Sequence, residues 1–200
     1  TGMGTVNPLG LNVKETWRRL LAGKSGIARI QAFNPDDYPG LEVKIAGEVK
    51  NFDPLKWIDR KQARHLDRFS QLALVAAMEA VTQSKLPLIE DGSLKEDLRH
   101  FVGTLIATGV GGLATTVEQV NVLREKGAGR VSPFTIPMLM PNAASAVVSM
   151  RLGSMAINLA PVSACSSSAD ALGVALDVIR KGRAKAVIAG GSEAAIIPIG

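Results

Sequence analysis

The residues best suited to chemistry lie in one stretch, Pro161-Val-Ser-Ala-Cys165-Ser-Ser-Ser-Ala-Asp170-Ala-Leu-Gly173. It holds the single cysteine of the 200-residue chain, placed where an apolar run from Met155 to Val162 ends and a helix begins. A thiol at such a junction faces the unpaired N–H groups and the positive end of the helix dipole, and both favour thiolate over thiol. A lone cysteine is more commonly a small buried hydrophobe. The strand–Cys–helix placement points instead to a nucleophile. Ser166, Ser167 and Ser168 are natural caps, and Ser167-x-x-Asp170 resembles a capping box with Asp in the acidic place. Ala169, Leu172, Gly173, Leu176 and Ile179 give the following helix an apolar face, which predicts its burial. A buried helix aimed at a thiol can offer the cysteine N–H as an oxyanion donor, which suits acyl transfer through a thioester.

Other candidates are weaker. His65 and His100 are the only histidines, and either could join Cys165 and an Asp in a thiol-hydrolase triad. His65 sits at a helix start among Lys56, Arg60, Lys61, Arg64 and Arg68, and His100 in a polar lead-in to a strand. Neither has the small or glycine-flanked setting expected beside a reactive centre. The basic segment reads equally as a solvated helix end or as a docking site whose field steers an acidic partner. Gly109-x-Gly111-x-x-Ala114, between a strand and a helix, imitates a dinucleotide fingerprint. The acidic residue expected about twenty positions on is missing, and Gly129-Arg-Val-Ser-Pro133 stands there. A tight turn beside a pocket is the better reading, and NAD is rejected. One cysteine excludes a disulfide framework and, with two distant histidines, argues against zinc or any other metal. No cofactor is called for.

These groups need elements to hold them. Hydrophobic residues make up 46% of the chain and aromatics only 4%, so the expected core is built from Ala, Val, Ile and Leu. A net charge of +5, mostly spread out, does not demand nucleic acid. There is no apolar leader and no run long enough to span a bilayer, so membrane insertion is not expected. A soluble cytoplasmic enzyme, or part of one, is the expectation. Periodicity predicts a helix near Asn12–Ala22 with Val13, Trp17, Leu20 and Leu21 inward, then an irregular excursion with a short strand at Leu41–Ile45. A long helix follows over Arg64–Lys85, with an inner stripe of Leu66, Phe69, Ala73, Ala76, Ala77 and Ala80. After the Asp91-Gly92 turn and a short helical piece comes a buried strand, Phe101–Ala107, ending at Thr108-Gly-Val-Gly-Gly112. Next come a helix over Thr115–Lys126, an extended proline-punctuated segment over Ser132–Pro141, and a small-residue helix over Asn142–Leu152. The strand Met155–Val162, the helix Ser166–Lys181 and the strand Ala184–Ala189 complete the chain. Buried strands alternating with helices predict one α/β domain, a layered α/β/α fold with a largely parallel sheet. Both ends read as cut, since Thr1-Gly-Met-Gly4 looks like the turn closing a strand and Gly200 follows no tail signal.

Several segments resemble the condensing enzymes of the thiolase superfamily, most closely the elongating β-ketoacyl-[acyl-carrier-protein] synthases of types I and II. They are Thr1-Gly-Met-Gly4 with Asn7-Pro-Leu-Gly10, Asp67-Arg-Phe69, Thr108-Gly-Val-Gly-Gly-Leu113, Arg130-Val-Ser-Pro-Phe134 with Met140-Pro-Asn142, Val162-Ser-Ala-Cys-Ser-Ser167 and Ala189-Gly-Gly-Ser-Glu-Ala194. The resemblance covers the whole chain and implies that residues 1–200 are the N-terminal half of a thiolase-like fold. It implies that Cys165 accepts an acyl chain from acyl-carrier protein. Malonyl-carrier protein then loses CO₂, and its enolate attacks the acyl thioester. It also implies that the further histidines, lysine and glycine-rich gate of such enzymes lie in a second half, so this half alone is catalytically incomplete. By position, Val110 matches a pocket-gating residue that is often larger, and Ala164 lies in the same pocket. Phe134 and Thr135 match a segment reaching the partner subunit's acyl pocket, and Thr135 departs from the aromatic often found there. Lys61, Arg64 and His65 match a face that docks acidic carrier protein, and Met155–Val162 matches the edge joining two subunits in a homodimer. Arg151-Leu-Gly-Ser-Met155 lacks the Gly-Pro often found before that strand. The Cys-Ser-Ser-Ser run is shared with polyketide ketosynthases, which makes such an enzyme one alternative. A non-catalytic partner or docking subunit is another, and the presence of Cys165 argues against it.

Overall fold

The computed structural model describes residues 1–200. The chain runs α1 (Val13–Leu21), β1 (Ile27–Arg29), β2 (Ile45–Gly47), α2 (Arg60–Ala63), α3 (Arg68–Ser84) and α4 (Glu96–Arg99). It continues with β3 (Val102–Ala107), α5 (Leu113–Lys126), α6 (Thr135–Leu139), α7 (Ala143–Leu152), β4 (Asn158–Leu159), α8 (Ser167–Arg180) and β5 (Ala186–Gly191). No helix is long and apolar enough to cross a membrane.

The parallel sheet has the order β4-β3-β5, with β3 buried at every position. Because side chains alternate along a strand, Val102 and Ile106 join the core built by α3 and α7, while Leu105 and Ala107 pack with Ala171 and Ala175 of α8. Helices therefore cover both faces, which is the predicted α/β/α layering. The buried Ser145 hydroxyl of α7 donates to the Thr104 carbonyl at 3.1 Å, tying that helix to the central strand. Asp67 caps α3 by accepting from the Phe69 N–H at 3.2 Å, and its other oxygen accepts from the Thr115 hydroxyl at 2.6 Å. One buried carboxylate thus serves the first turns of two helices, α3 and α5.

Several boundaries differ from the sequence expectation, each for a local reason. The long helix predicted from Arg64 begins only at Arg68, because Asp67 leaves helical geometry to cap it, and the short helix α2 ahead of it already ends at Ala63. The excursion holds an antiparallel pair, and its strand is displaced to Ile45–Gly47 by the register Ile27↔Gly47. Ser132–Pro141 is not extended throughout. Pro137 occupies the first turn of α6, where its missing N–H has no intrahelical partner to lose. β5 extends through Gly190 and Gly191, which pair with Ile106 and Ala107. A Cβ on Gly191 would stand 2.8 Å from the Ser168 Cβ, so glycine lets this strand pass beneath α8.

Two predicted apolar faces are exposed. In α1 no residue is buried, and Trp17, Leu20 and Leu21 face outward, because no element of this chain lies against that stripe. In α8 the buried residues are Ser167, Ala171, Ala175 and Val178, whereas Leu172, Leu176 and Ile179 are 55%, 48% and 43% exposed. Small side chains let the helix approach the sheet closely, which turns the larger ones away. The predicted strand over Met155–Val162 shrinks to Asn158–Leu159. It pairs with β3 on one side only, and Pro161 brings no N–H to a ladder.

Candidate active site

Cys165 lies in a single turn, Ala164–Ser166, immediately before α8, and its thiol is exposed. Ala164 carries φ +53°, a left-handed conformation that a residue with a Cβ adopts at a cost of about 1–2 kcal/mol. Serines hold this turn in place. The Ser163 N–H donates to Ser167 Oγ at 2.8 Å, and Ser167 Oγ donates to the Ala164 carbonyl at 2.7 Å. Ser166 Oγ donates to the Ser163 carbonyl at 2.8 Å, and Ser163 Oγ donates to the Asp170 carboxylate. The expected capping box does not form, because Asp170 reaches back to Ser163 and Ser167 to the strained residue. The polar groups that sequence reasoning assigned to the helix instead hold the nucleophile's turn.

A pocket of about 400 Å³ opens beside Cys165, walled by Ala164, Ser168, Gly191 and the loop Thr108–Val110. Glu193 forms its remaining wall and fixes that loop. Its Oε2 accepts from Thr108 Oγ1 at 3.0 Å, the Gly109 N–H at 2.8 Å and the Val110 N–H at 2.9 Å. Thr108 Oγ1 in turn accepts from the Gly111 N–H at 3.1 Å. The glycine loop that imitates a phosphate cradle therefore already holds an anion, a carboxylate of its own chain. Sequence reasoning did not single out Glu193, although its motif, Ala189-Gly-Gly-Ser-Glu-Ala194, was noted. The three donors to its Oε2 lie more than eighty positions away.

Of the predicted pocket residues, the structure brings Val110 and Ala164 to Cys165 and does not bring Phe134 or Thr135 there. Phe134 stacks instead on His65, with ring centroids 3.7 Å apart and planes at 14°. Thr135 Oγ1 donates to the Ser132 carbonyl at 2.6 Å. Lys61 and Arg64 are exposed on and beside α2, and His65 is half-buried. Neither histidine lines the Cys165 pocket, so the residues of a thiol-hydrolase triad are not assembled. The two carboxylates held below their usual range lie elsewhere. Asp36 is lowered by a hydrogen bond from Lys44 and by the nearby Arg29, and Asp91 by hydrogen bonds from Ser93.

A parallel sheet covered by helices, with an exposed thiol in the turn ahead of α8, is an arrangement suited to nucleophilic chemistry at Cys165. Residues 1–200 match the family "Beta-ketoacyl synthase, N-terminal domain", and the chain belongs to it. It is 39% identical over 199 residues to the 3-oxoacyl-[acyl-carrier-protein] synthase 2 of Synechocystis, covering 100% of this chain and 46% of that protein. It is 41% identical over 196 residues to the protein of that name from Staphylococcus aureus, covering 98% of this chain and 46% of the relative. The chain thus spans about half the length of these relatives. Among solved structures, the ishigamide ketosynthase/chain length factor superposes with a TM-score of 0.79 at 26% identity, over 97% of this chain and 46% of that one. A type II polyketide ketosynthase in complex with its acyl-carrier protein shares the fold, with a TM-score of 0.75 at 22% identity, over 100% of this chain and 51% of that one.

Proposed function

We propose that this chain is the nucleophile-bearing half of an elongating β-ketoacyl-[acyl-carrier-protein] synthase. The observation that carries the reading is an exposed Cys165, next to Ala164 at positive φ in the turn ahead of α8 and facing a pocket of about 400 Å³. The Cys165 sulfur attacks the carbonyl of an acyl-carrier-protein thioester. The bond to the carrier's sulfur breaks, the carrier thiol leaves with a proton, and the acyl chain remains on Cys165. Malonyl-carrier protein then loses CO₂, and the resulting enolate carbon attacks the acyl carbonyl. Cys165 is expelled as thiolate, and a β-ketoacyl-carrier protein two carbons longer departs. In this reading the Cys165 N–H serves as a donor to the oxyanion of each attack.

Val110 and Ala164 form the pocket mouth in this reading, and Phe134 and Thr135 serve the acyl pocket of a partner subunit. Lys61, Arg64 and His65 dock the acidic carrier. Support comes from the exposure of the two cations, neither of which forms a salt bridge within the chain. The homodimer joins through β4, whose residues are exposed and paired on one side only. The location in this reading is the cytoplasm, and the pathway is fatty-acid elongation, which draws on relatives named 3-oxoacyl-[acyl-carrier-protein] synthase 2 at 39–41% identity.

The test is intact-mass measurement of the full-length protein with acyl-carrier protein. A single acyl adduct on Cys165 that disappears on adding malonyl-carrier protein, and is absent in Cys165→Ala, is the expected result. Full condensation by Cys165→Ala sinks the proposal. The polyketide reading draws on the ketosynthase structures that superpose here. It predicts repeated rounds in which the β-keto product is itself accepted, without reduction.

A further inference from the structure

We infer that Glu193 is a positioning residue that sets the width of the acyl pocket by clamping the loop Thr108–Gly111 against the Cys165 turn. The inference rests on the reading of Cys165 as acyl carrier. Three donors from three consecutive residues converge on one carboxylate oxygen. Hydrogen bonds to an ionised acceptor are about twice as strong as neutral ones. Within the loop Gly109 and Gly111 bring no side chains and Gly111 sits at φ +86°, so its shape depends on a few hydrogen bonds. On its far side the Gly112 N–H donates to the Leu139 carbonyl of α6 at 3.1 Å and the Gly111 N–H to Thr108 Oγ1 at 3.1 Å, so the far end of the loop is anchored independently and Glu193 is what ties down the Gly109 and Val110 N–H groups at its tip.

The pinned tip is the part that meets substrate. Val110 carries a 51% exposed side chain on the pocket wall with Cys165. Beside it, a Cβ added to Gly109 would lie 3.2 Å from Glu193 Oε2 and 3.5 Å from the Ala164 carbonyl. Carboxylate, loop and nucleophile turn are therefore packed in sequence. Movement of the carboxylate moves Val110 relative to the thiol. Because Glu193 itself holds the loop and not the Cys165 turn, its loss alters which acyl chains fit while leaving the thiol's own presentation unchanged.

Glu193→Ala, Glu193→Gln and Thr108→Val in the full-length protein test this, with single-turnover acylation of Cys165 by a series of short to long acyl-carrier-protein thioesters. Glu193→Ala is expected to reduce the ratio between favoured and disfavoured chain lengths by about tenfold. Because the ratio compares chain lengths within one variant, any uniform change in Cys165 reactivity cancels from it. Glu193→Gln, whose amide oxygen still accepts, retains most of the ratio. Thr108→Val shifts it in the same direction as Glu193→Ala, and the two combine less than additively. An unchanged ratio in Glu193→Ala, or an equal fall at every chain length, overturns the inference. Should Glu193→Ala fail to fold, an unchanged ratio in Thr108→Val does the same. If the unsubstituted protein takes no acyl group at Cys165, the acyl-carrier reading falls and this inference with it. Normal acylation with unaltered selectivity in the variants removes the inference alone.

Discussion

Helices α3 and α8 flank the same strand from opposite faces, are of similar length and are both apolar, yet they are packed very differently. α3 buries Phe69, Leu72, Ala73, Leu74, Val75, Ala77 and Val81, and its side of the sheet holds a cluster of 15 buried residues. α8 buries three apolar side chains, and its side holds a cluster of 4. The cost of opening either region follows the apolar surface it removes from water. Stability is concentrated on the α3 face. The start of α8 is relieved of that duty, so its turn can hold Ala164 at a positive φ and leave the thiol in solvent.

The largest expected effect tests the site side of the contrast. Cys165→Ala should lower condensation by about a thousandfold or more, with the melting temperature nearly unchanged because the side chain is exposed. A marked fall in melting temperature would give the turn a structural role and break the contrast. Leu74→Ala, at a position 3% exposed, should cost about 2–5 kcal/mol in chemical denaturation. Leu176→Ala, 48% exposed in α8, should cost under about 1 kcal/mol in the 200-residue chain. Equal costs at the two positions would refute the assignment of stability to one face.

Smaller effects sharpen the same division. Asp170→Asn weakens the charged acceptor of Ser163 and should slow acylation of Cys165 by about tenfold, with little change in unfolding. An unaltered rate would show that the remaining serine bonds suffice. The smallest effect lies far from both helices. Asp36 accepts from Lys44 at 2.6 Å and pairs with Arg29, and its carboxyl is held below the usual range chiefly by the Lys44 hydrogen bond. A depressed folded-state value means that its stabilisation is present above the ordinary carboxylate range and lost as pH falls through the lowered one. Asp36→Asn should remove that acid-side slope for the β1–β2 pair, as followed by amide exchange, and leave Cys165 acylation at neutral pH unchanged.

The sequence by itself determined the elements with strong local signals. The uniformly apolar β3, the small-residue helix α7, and the cysteine between strand and helix were all legible, because burial on both faces, tight helix packing and a chemical singleton each leave a local mark. Local pattern also announced apolar stripes on α1 and α8. Only the tertiary structure showed that both stripes are left exposed in this chain, because burial depends on what packs against a face and not on the face alone. The same holds for polar groups. Asp67, Asp170 and Glu193 each had a legible residue type, but their partners at Thr115, Ser163 and Thr108–Val110 became known only when the chain was folded. A hydrogen bond needs two ends, and the sequence states only one of them.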